Sequence, residues 1–352
     1  MKINHAILHV LDFVSCTHTF AQEEIDLTNK NAKRYIHSQA KRSLSHMDTK
    51  RGAFSSDSLF EPRLKAYFKE ECDFVDISTQ IAEYFARELG HMEKAESCDM
   101  LVIDFEDDPD SRVREMTEEE AEAAFEARGK QYFALILLES RLAYMHELNH
   151  SESGITRNDI ARHHAILPNP SQKVATFAVI EAATFNVAFC DKLRTIAGQE
   201  TWLIPEGLLQ CSMEASSKET FETVKNIVEE VAAERGVNTA VAVSRAKSYV
   251  SENAEKTDEL SPEDLGREIF EDDDAQKRFE EAVAEKKLPE RIVVEKAVAK
   301  RVTKSHKIHT DTGIDITFPA EYGENTDFIE FVKTPEGSIS IQLKNIGSIE
   351  NR

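Results

Sequence analysis

The strongest strand signal in the sequence is Tyr132-Phe133-Ala134-Leu135-Ile136-Leu137-Leu138, a run without a charged residue. Beyond it, the chain stays rich in Leu, Tyr and other apolar residues as far as Leu148. Aromatic and aliphatic residues in short runs fit the pleated surface of a β-sheet. We therefore predict one or two β-strands between residues 132 and 148.

Similar but shorter strand patterns lie on both sides of this segment. Upstream, Met100–Phe105 is apolar except at Asp104, and Ile3–Val14 combines β-branched and aromatic residues with no helix start signal. The second pattern indicates a strand that is buried on at least one face. Downstream, the same reasoning predicts strands at Val174–Ile180, Asn186–Cys190 and Thr201–Ile204.

Helix patterns are interspersed among these strands. A helix is predicted from Thr28, as its N-cap, to about Leu44. A second helix is predicted to open at Asp76 or Ser78 and to stop at Gly90, because apolar residues recur in it every four positions. This irregular mixture of strands and helices predicts an α+β fold, with a mixed sheet-and-helix domain over residues 1–205.

The rest of the chain has a different pattern. Ser216 and Glu219 form a capping box, and Ser261 followed by Pro262 is a second helix start signal. In the last fifty residues, apolar residues alternate with polar ones, as at Ile314, Ile316 and Phe318. We predict a helical region over residues 206–302 and a small antiparallel β domain over residues 303–352.

The amino-acid composition limits the classes of function that the protein can have. The 352 residues carry 65 Asp and Glu against 43 Lys and Arg, a net charge of −22, which repels a polyanion unless the basic residues are segregated. The longest apolar runs are far shorter than the 20 or so residues of a membrane span. The N-terminal apolar stretch is interrupted by His9 and Asp12 and lacks a secretory cleavage site. We expect a cytoplasmic protein with no membrane association.

Enzyme motifs are largely missing. The sequence contains no glycine-rich dinucleotide or phosphate-binding loop and no nucleophile elbow, so we predict no cofactor and no enzymatic activity. The one literal match is His146-Glu147-Leu148-Asn149-His150, which on a helix would bind zinc with Glu147 as general base. Turn-forming residues follow it directly, which favours the end of a hairpin. A zinc hydrolase using His146, Glu147 and His150 remains the weakest alternative.

Basic residues are concentrated in one segment. Residues 30–51 contain seven Lys or Arg against Asp48 alone. In a helix, Lys30, Arg34 and Lys41 follow one face at intervals of three or four residues, together with His37. Such a face can neutralise several phosphates, which gives DNA binding that is independent of sequence and sensitive to salt. A solvated helix surface explains the same pattern without function.

A second basic pattern occurs late in the chain. Lys296, Lys300 and Lys304 are spaced by four residues, next to an apolar stripe at Val294, Val298 and Val302. The predicted DNA-binding residues of the two patches are Lys30, Lys33, Arg34, Lys41, Arg42, Lys296, Lys300, Arg301 and Lys304. No pattern indicates that bases are read directly. The acidic stretches 104–126 and 252–285 would confine DNA to the basic faces, or are equally well explained as ordinary solvated surface.

Several blocks, in order along nearly the whole chain, resemble the bacterial nucleoid-associated protein family of the NdpA/YejK type. The blocks are Ile3–His9 (INHAILH), Gly52–Ser58 (GAFSSDS), Tyr132–Leu137 (YFALIL) and Ile166–Lys173 (ILPNPSQK), the last followed by Ala178-Val179-Ile180. The resemblance implies a noncatalytic protein of the bacterial nucleoid that binds DNA. It supplies no site residues. A protein-interaction adaptor of the same fold, with partners at the nucleoid and no direct DNA binding, is the main alternative.

Overall fold

The computed structural model describes residues 1–107, 129–150, 156–257, 259–294, 296–323, 325–333 and 339–348. The chain forms two compact units, Met1–Glu214 and Ala215–Arg352. Both contain helices and strands, so the predicted α+β class is confirmed. Most of the acidic stretch 104–126 lies outside the described residues. The finer division at residues 205 and 302 stays a prediction.

The first unit is built on a seven-stranded sheet in the order β2-β1-β4-β5-β8-β9-β3. Every neighbouring pair is antiparallel. Two further pairs, β6 with β7 and β10 with β11, are separate hairpins. The strands are β1 (Lys2–Asp12), β2 (Thr17–Thr19), β3 (Lys50–Gly52), β4 (Cys98–Asp107), β5 (Lys130–Glu139), β6 (Arg141–His150), β7 (Thr156–Ile166), β8 (Phe177–Glu181), β9 (Val187–Cys190), β10 (Leu193–Ile196) and β11 (Gln199–Trp202).

Helices cover both faces of this sheet. They are α1 (Lys30–Leu44), α2 (Phe60–Phe68) and α3 (Phe74–Gly90), followed late in the unit by a π-helical turn (Leu203–Leu209). On one face, α2, α3 and the π-helical turn pack over the sheet in a single apolar cluster. On the opposite face, Ile36 and Ala40 of α1 belong to a second cluster.

The two covered faces explain the unbroken apolar run of β5. Successive side chains of a strand point to opposite faces. Phe133, Leu135 and Leu137 therefore pack under α2 and α3, while Ala134, Ile136 and Leu138 pack on the side of α1. All six are buried. A sheet with one wet face would instead alternate apolar with polar residues.

Three predicted boundaries are wrong. The N-cap of α1 is Asn29, whose side chain accepts bonds from the amides of Asn31 and Ala32, whereas the Thr28 hydroxyl bonds to Asp26. Helix α3 begins at Phe74 after the cap Asp73, earlier than predicted. In each case the capping side chain belongs to the residue directly before the first helical residue, where it reaches the free amides of the first turn.

The third error concerns the strand predicted at Thr201–Ile204. Strand β11 ends at Trp202, where the chain enters the π-helical turn. The Tyr84 hydroxyl of α3 donates to the Leu203 carbonyl at 3.0 Å, and Leu203 and Ile204 are buried in the core. Packing against α3 therefore overrides the local strand preference of this apolar segment.

The second unit is mainly helical. Its helices are α4 (Ser217–Glu234), α5 (Thr239–Asn253), α6 (Pro262–Ile269), α7 (Asp273–Glu285) and α8 (Lys296–Val302). Its short strands pair as β12 (Glu259–Leu260) with β13 (Ile292–Val293), β14 (Ser305–His309) with β15 (Asp315–Pro319), and β16 (Ile329–Lys333) with β17 (Ile339–Leu343). None of the helices described in either unit has the length and apolar content that crossing a lipid bilayer requires.

Two local predictions for this unit are confirmed and one is corrected. The Ser216–Glu219 capping box is formed in both directions, and Ser261 caps α6 through the amide of Asp264. The alternating C-terminal segment, however, forms two separate hairpins among the described residues rather than one small sheet. Alternation specifies strands and their buried face, but it does not specify which strands pair.

A buried histidine predicts that the second unit loses stability in acid. The His306 ring is only 5% exposed, and its Nδ1 has no hydrogen-bond partner among the residues that the structure describes. Burial, with Lys247 and Lys225 nearby, lowers the pKa of His306 to about 4. The unfolded chain binds this proton near pH 6.5, so unfolding is favoured as the pH falls from 6.5 towards 4 and stability is retained above 6.5.

We expect the unit to lose about 2 kcal/mol of stability between pH 7 and pH 5 through this residue. Hydrogen exchange of the α4 and α5 amides, corrected for intrinsic rates, measures the loss. The variant His306→Gln should show a flatter pH dependence. His309→Gln is the control, because His309 is exposed and pairs with Asp315 at 2.7 Å. An equal pH dependence in the wild type and His306→Gln would contradict the assignment.

Candidate nucleic-acid interface

Helix α1 holds the first basic patch on the surface of the sheet. It buries Ile36, Gln39, Ala40 and Ser43 on the side that faces β4 and β8. The opposite side is therefore presented to solvent. Among its residues, Lys30, Lys33, Arg34, Lys41 and Arg42 are all exposed.

Two contacts fix α1 to a distant segment of the chain. The Tyr35 hydroxyl donates to the Pro168 carbonyl at 2.9 Å, and the Arg42 guanidinium donates to the Pro170 carbonyl. Pro168 and Pro170 belong to the ILPNPSQK block. This block therefore orients the basic helix. Because a guanidinium has five donor hydrogens, Arg42 keeps others for a second partner.

The four remaining cations of α1 are available for a ligand. Within the described ranges, Lys30, Lys33, Arg34 and Lys41 form no ion pair. Their positions fall within about a third of the helix circumference at 3.6 residues per turn. We name these four side chains the α1 basic face. Lys30 and Lys41 lie about 16 Å apart along the axis at 1.5 Å per residue, a span of roughly five phosphates on one DNA strand.

Helix stability does not account for this arrangement. The amino-terminal end of a helix carries partial positive charge, so acidic residues stabilise it and basic ones destabilise it. The first turn of α1 contains no acidic residue, and Lys30 and Lys33 are placed at this end. The positive end of the helix dipole and the nearby lysines favour an anionic ligand there.

The second basic patch is formed differently from the prediction. Helix α8 ends at Val302, so Lys304 lies beyond it and the expected three-lysine stripe on one helix does not form. Lys300 pairs with Glu255 at 3.0 Å. Arg301 and Lys304 are exposed, and the side chain of Lys296 lies outside the described part. Of the apolar stripe, Val294 and Val298 are buried as predicted.

The zinc-like motif lies on a strand. His146 is opposite Ile160, and His150 is opposite Thr156, in the hairpin of β6 and β7. Positions four apart on a strand are separated by about 14 Å, too far for two imidazoles to share one ion at about 2 Å. The motif is thus at a hairpin end, as predicted. In the part of the chain with a described structure, no cluster of three or more His, Cys, Asp or Glu could hold a metal ion.

Fold and site together define an acidic α+β protein that carries segregated positive charge on an exposed helix. The family model of nucleoid-associated protein YejK matches residues 7–351, nearly the whole chain. The chain therefore belongs to this family of nucleoid-associated proteins, which confirms the resemblance of the sequence blocks. None of the curated proteins compared with the chain matches it.

Proposed function

We propose that the protein is a noncatalytic DNA-binding protein of the bacterial cytoplasm that acts at the nucleoid and contacts phosphates without reading bases. The observation that carries the proposal is the α1 basic face, whose cations have no ion pair within the described residues. In a protein with a net charge of −22, such a face is where a polyanion meets the least repulsion.

The chemistry of the face supports binding that is independent of sequence. Lys and Arg side chains recognise phosphates as charges, and phosphate contacts fix position without reporting the base. Helix α1 lies flat on the sheet, and its buried side is occupied by core contacts. The exposed cations therefore contact the DNA backbone without displacement of the helix from the sheet.

The second patch extends the proposal to the other unit. Arg301 and Lys304 are exposed and have no ion pair with any described residue. Lys300 exchanges its partner Glu255 for a phosphate at little cost, because both side chains are more than half exposed and such surface pairs contribute at most about 1 kcal/mol. Together with Lys296, these residues form a weaker contact than the α1 basic face.

A salt titration tests the function. Fluorescence anisotropy of a labelled random duplex should give a binding constant that falls linearly with salt concentration on logarithmic axes. Four to nine phosphate contacts predict a slope between about −4 and −8. If the purified protein fails to bind even at the lowest salt concentration, the proposal is wrong and the adaptor alternative replaces it. Capture of partners from a nucleoid extract would then identify its function.

A further inference from the structure

The hairpin of β6 and β7 is an isolated two-stranded ribbon. Its strands pair with each other and, in the part of the chain that the structure describes, with no strand of the seven-stranded sheet. Ten residues of β6 span about 34 Å at 3.4 Å per residue. A lone two-stranded ribbon is marginally stable in water. A surface that covers one of its faces would stabilise it.

The ribbon exposes large apolar side chains. Tyr144 is 66% exposed and Ile160 is 81% exposed. Tyr144 lies opposite Arg162, and His146 lies opposite Ile160. Residues directly opposite each other in an antiparallel pair share a face, as do residues two positions apart. These four side chains therefore form one continuous surface, which we name the ribbon face.

The described carboxylates of the two strands lie on one side of the ribbon. Glu147 lies opposite Asp159, and these positions alternate with those of the ribbon face, so both carboxylates are on the other side. The ribbon face carries Arg162 and His146 and, among its side chains that the structure describes, no carboxylate. Its charge thus complements a polyanion, in contrast to the chain as a whole.

We propose that the ribbon face is a second DNA-contacting surface, which enters the major groove of duplex DNA. This inference rests on the proposed DNA binding. The major groove, about 12 Å wide, admits a two-stranded β-ribbon. Arg162 and His146 contact phosphates at the edges of the groove, and Tyr144 and Ile160 pack against the sugars.

A second copy of the chain fits this surface less well. Pairing two ribbon faces about a two-fold axis would bury Arg162 of both copies against described side chains that include no carboxylate. Like charges in a desolvated interface oppose association. The DNA backbone, by contrast, supplies negative charge at both edges of the groove. Charge therefore favours DNA over self-association.

Two single variants of the full-length protein separate the polar and apolar contributions. Arg162→Gln should weaken binding to the random duplex about eightfold at 0.1 M salt and reduce the salt slope by about one, because one phosphate contact is lost. Tyr144→Thr keeps a strand-forming residue and removes the aromatic ring. It should weaken binding severalfold without a change in slope, because an apolar contact releases no counterion.

Met145→Ala is the matched control. Met145 is also exposed, but it lies on the side of Glu147 and Asp159. It should bind DNA as the wild type does. Circular dichroism and sedimentation of the DNA-free proteins identify variants that have lost structure. If Arg162→Gln had lost structure, Arg162→Thr would replace it, and if Tyr144→Thr had lost structure, Tyr144→Val would replace it, since both replacements favour a strand and should give the same changes in affinity and slope.

The outcomes distinguish failure of this inference from failure of the proposed function. If the wild type binds DNA and both ribbon-face variants match it in affinity and slope, only the inference is overturned. If Tyr144→Thr instead changes the sedimentation of the DNA-free protein with no change in DNA affinity, the ribbon face is an interface between copies of the chain. If the wild type does not bind at all, both proposals are wrong.

Discussion

Replacing Lys30, Lys33, Arg34 and Lys41 together by Glu is expected to lower DNA affinity by at least about three orders of magnitude at 0.1 M salt. Each phosphate contact contributes about 0.9 to the logarithmic salt slope, so the loss of four flattens the slope by about 3.6. The repulsion introduced by four carboxylates adds to the loss. Anisotropy titrations of wild type and variant at several salt concentrations measure both quantities.

The variant should fold normally, since acidic residues in the first turn interact favourably with the helix dipole. A second variant separates local contact from net charge. Replacing four exposed lysines elsewhere by Glu changes the net charge by the same amount. These residues are Lys69, Lys94, Lys277 and Lys286. Equal loss of affinity in both variants would mean that total charge governs binding and that the α1 basic face has no special role.

The variant Arg194→Met is expected to destabilise the first unit by about 3–5 kcal/mol, because it leaves a buried charge without its partner. Arg194 and Asp191 have side chains that are 3% and 0% exposed, and they pair at 2.6 Å. The guanidinium also donates to the Thr176 hydroxyl at 2.6 Å. The Asp191 carboxylate accepts from the Ile204 amide at 2.8 Å, which ties the pair to the π-helical turn.

Urea unfolding monitored by the fluorescence of Trp202, the one tryptophan of the chain, measures this loss. The double variant Asp191→Asn, Arg194→Met removes both charges and should recover a large part of the lost stability. Lys192→Met is the control, since Lys192 lies between the two residues and pairs with Glu139 at the surface. A single variant as stable as the control would contradict the role assigned to the buried pair.

The location of α1 and its basic composition could be predicted from the sequence. Helix propensity, capping and charge spacing are local properties, so Lys30, Arg34 and Lys41 could be placed on one face without coordinates. The error at its start, Asn29 in place of Thr28, moved no basic residue. The predicted lysine stripe of the second patch does not extend to Lys304, because α8 ends at Val302. A four-residue spacing indicates a helix face only while the helix continues.

The role of the ILPNPSQK block could not be predicted from the residues. Its contacts with α1 join Tyr35 to Pro168 across 133 positions of sequence. The sequence of a loop does not indicate which distant side chain donates a hydrogen bond to its backbone carbonyls. The ribbon face was missed for a similar reason. Strand β7 was not predicted from the sequence, and the side on which Tyr144 meets Arg162 depends on the pairing register of β6 with β7.

The sequence by itself determined the α+β class, the central strands, most helices and the family, because these depend on local composition and on blocks of residues in order. Only the tertiary structure decided which surfaces are available to a ligand. Helices cover β5 on both faces of the sheet, and the strand order leaves β6 and β7 outside the sheet. Whether a cation is paired or a side chain is exposed depends on neighbours that are distant in the chain, and folding alone brings them together.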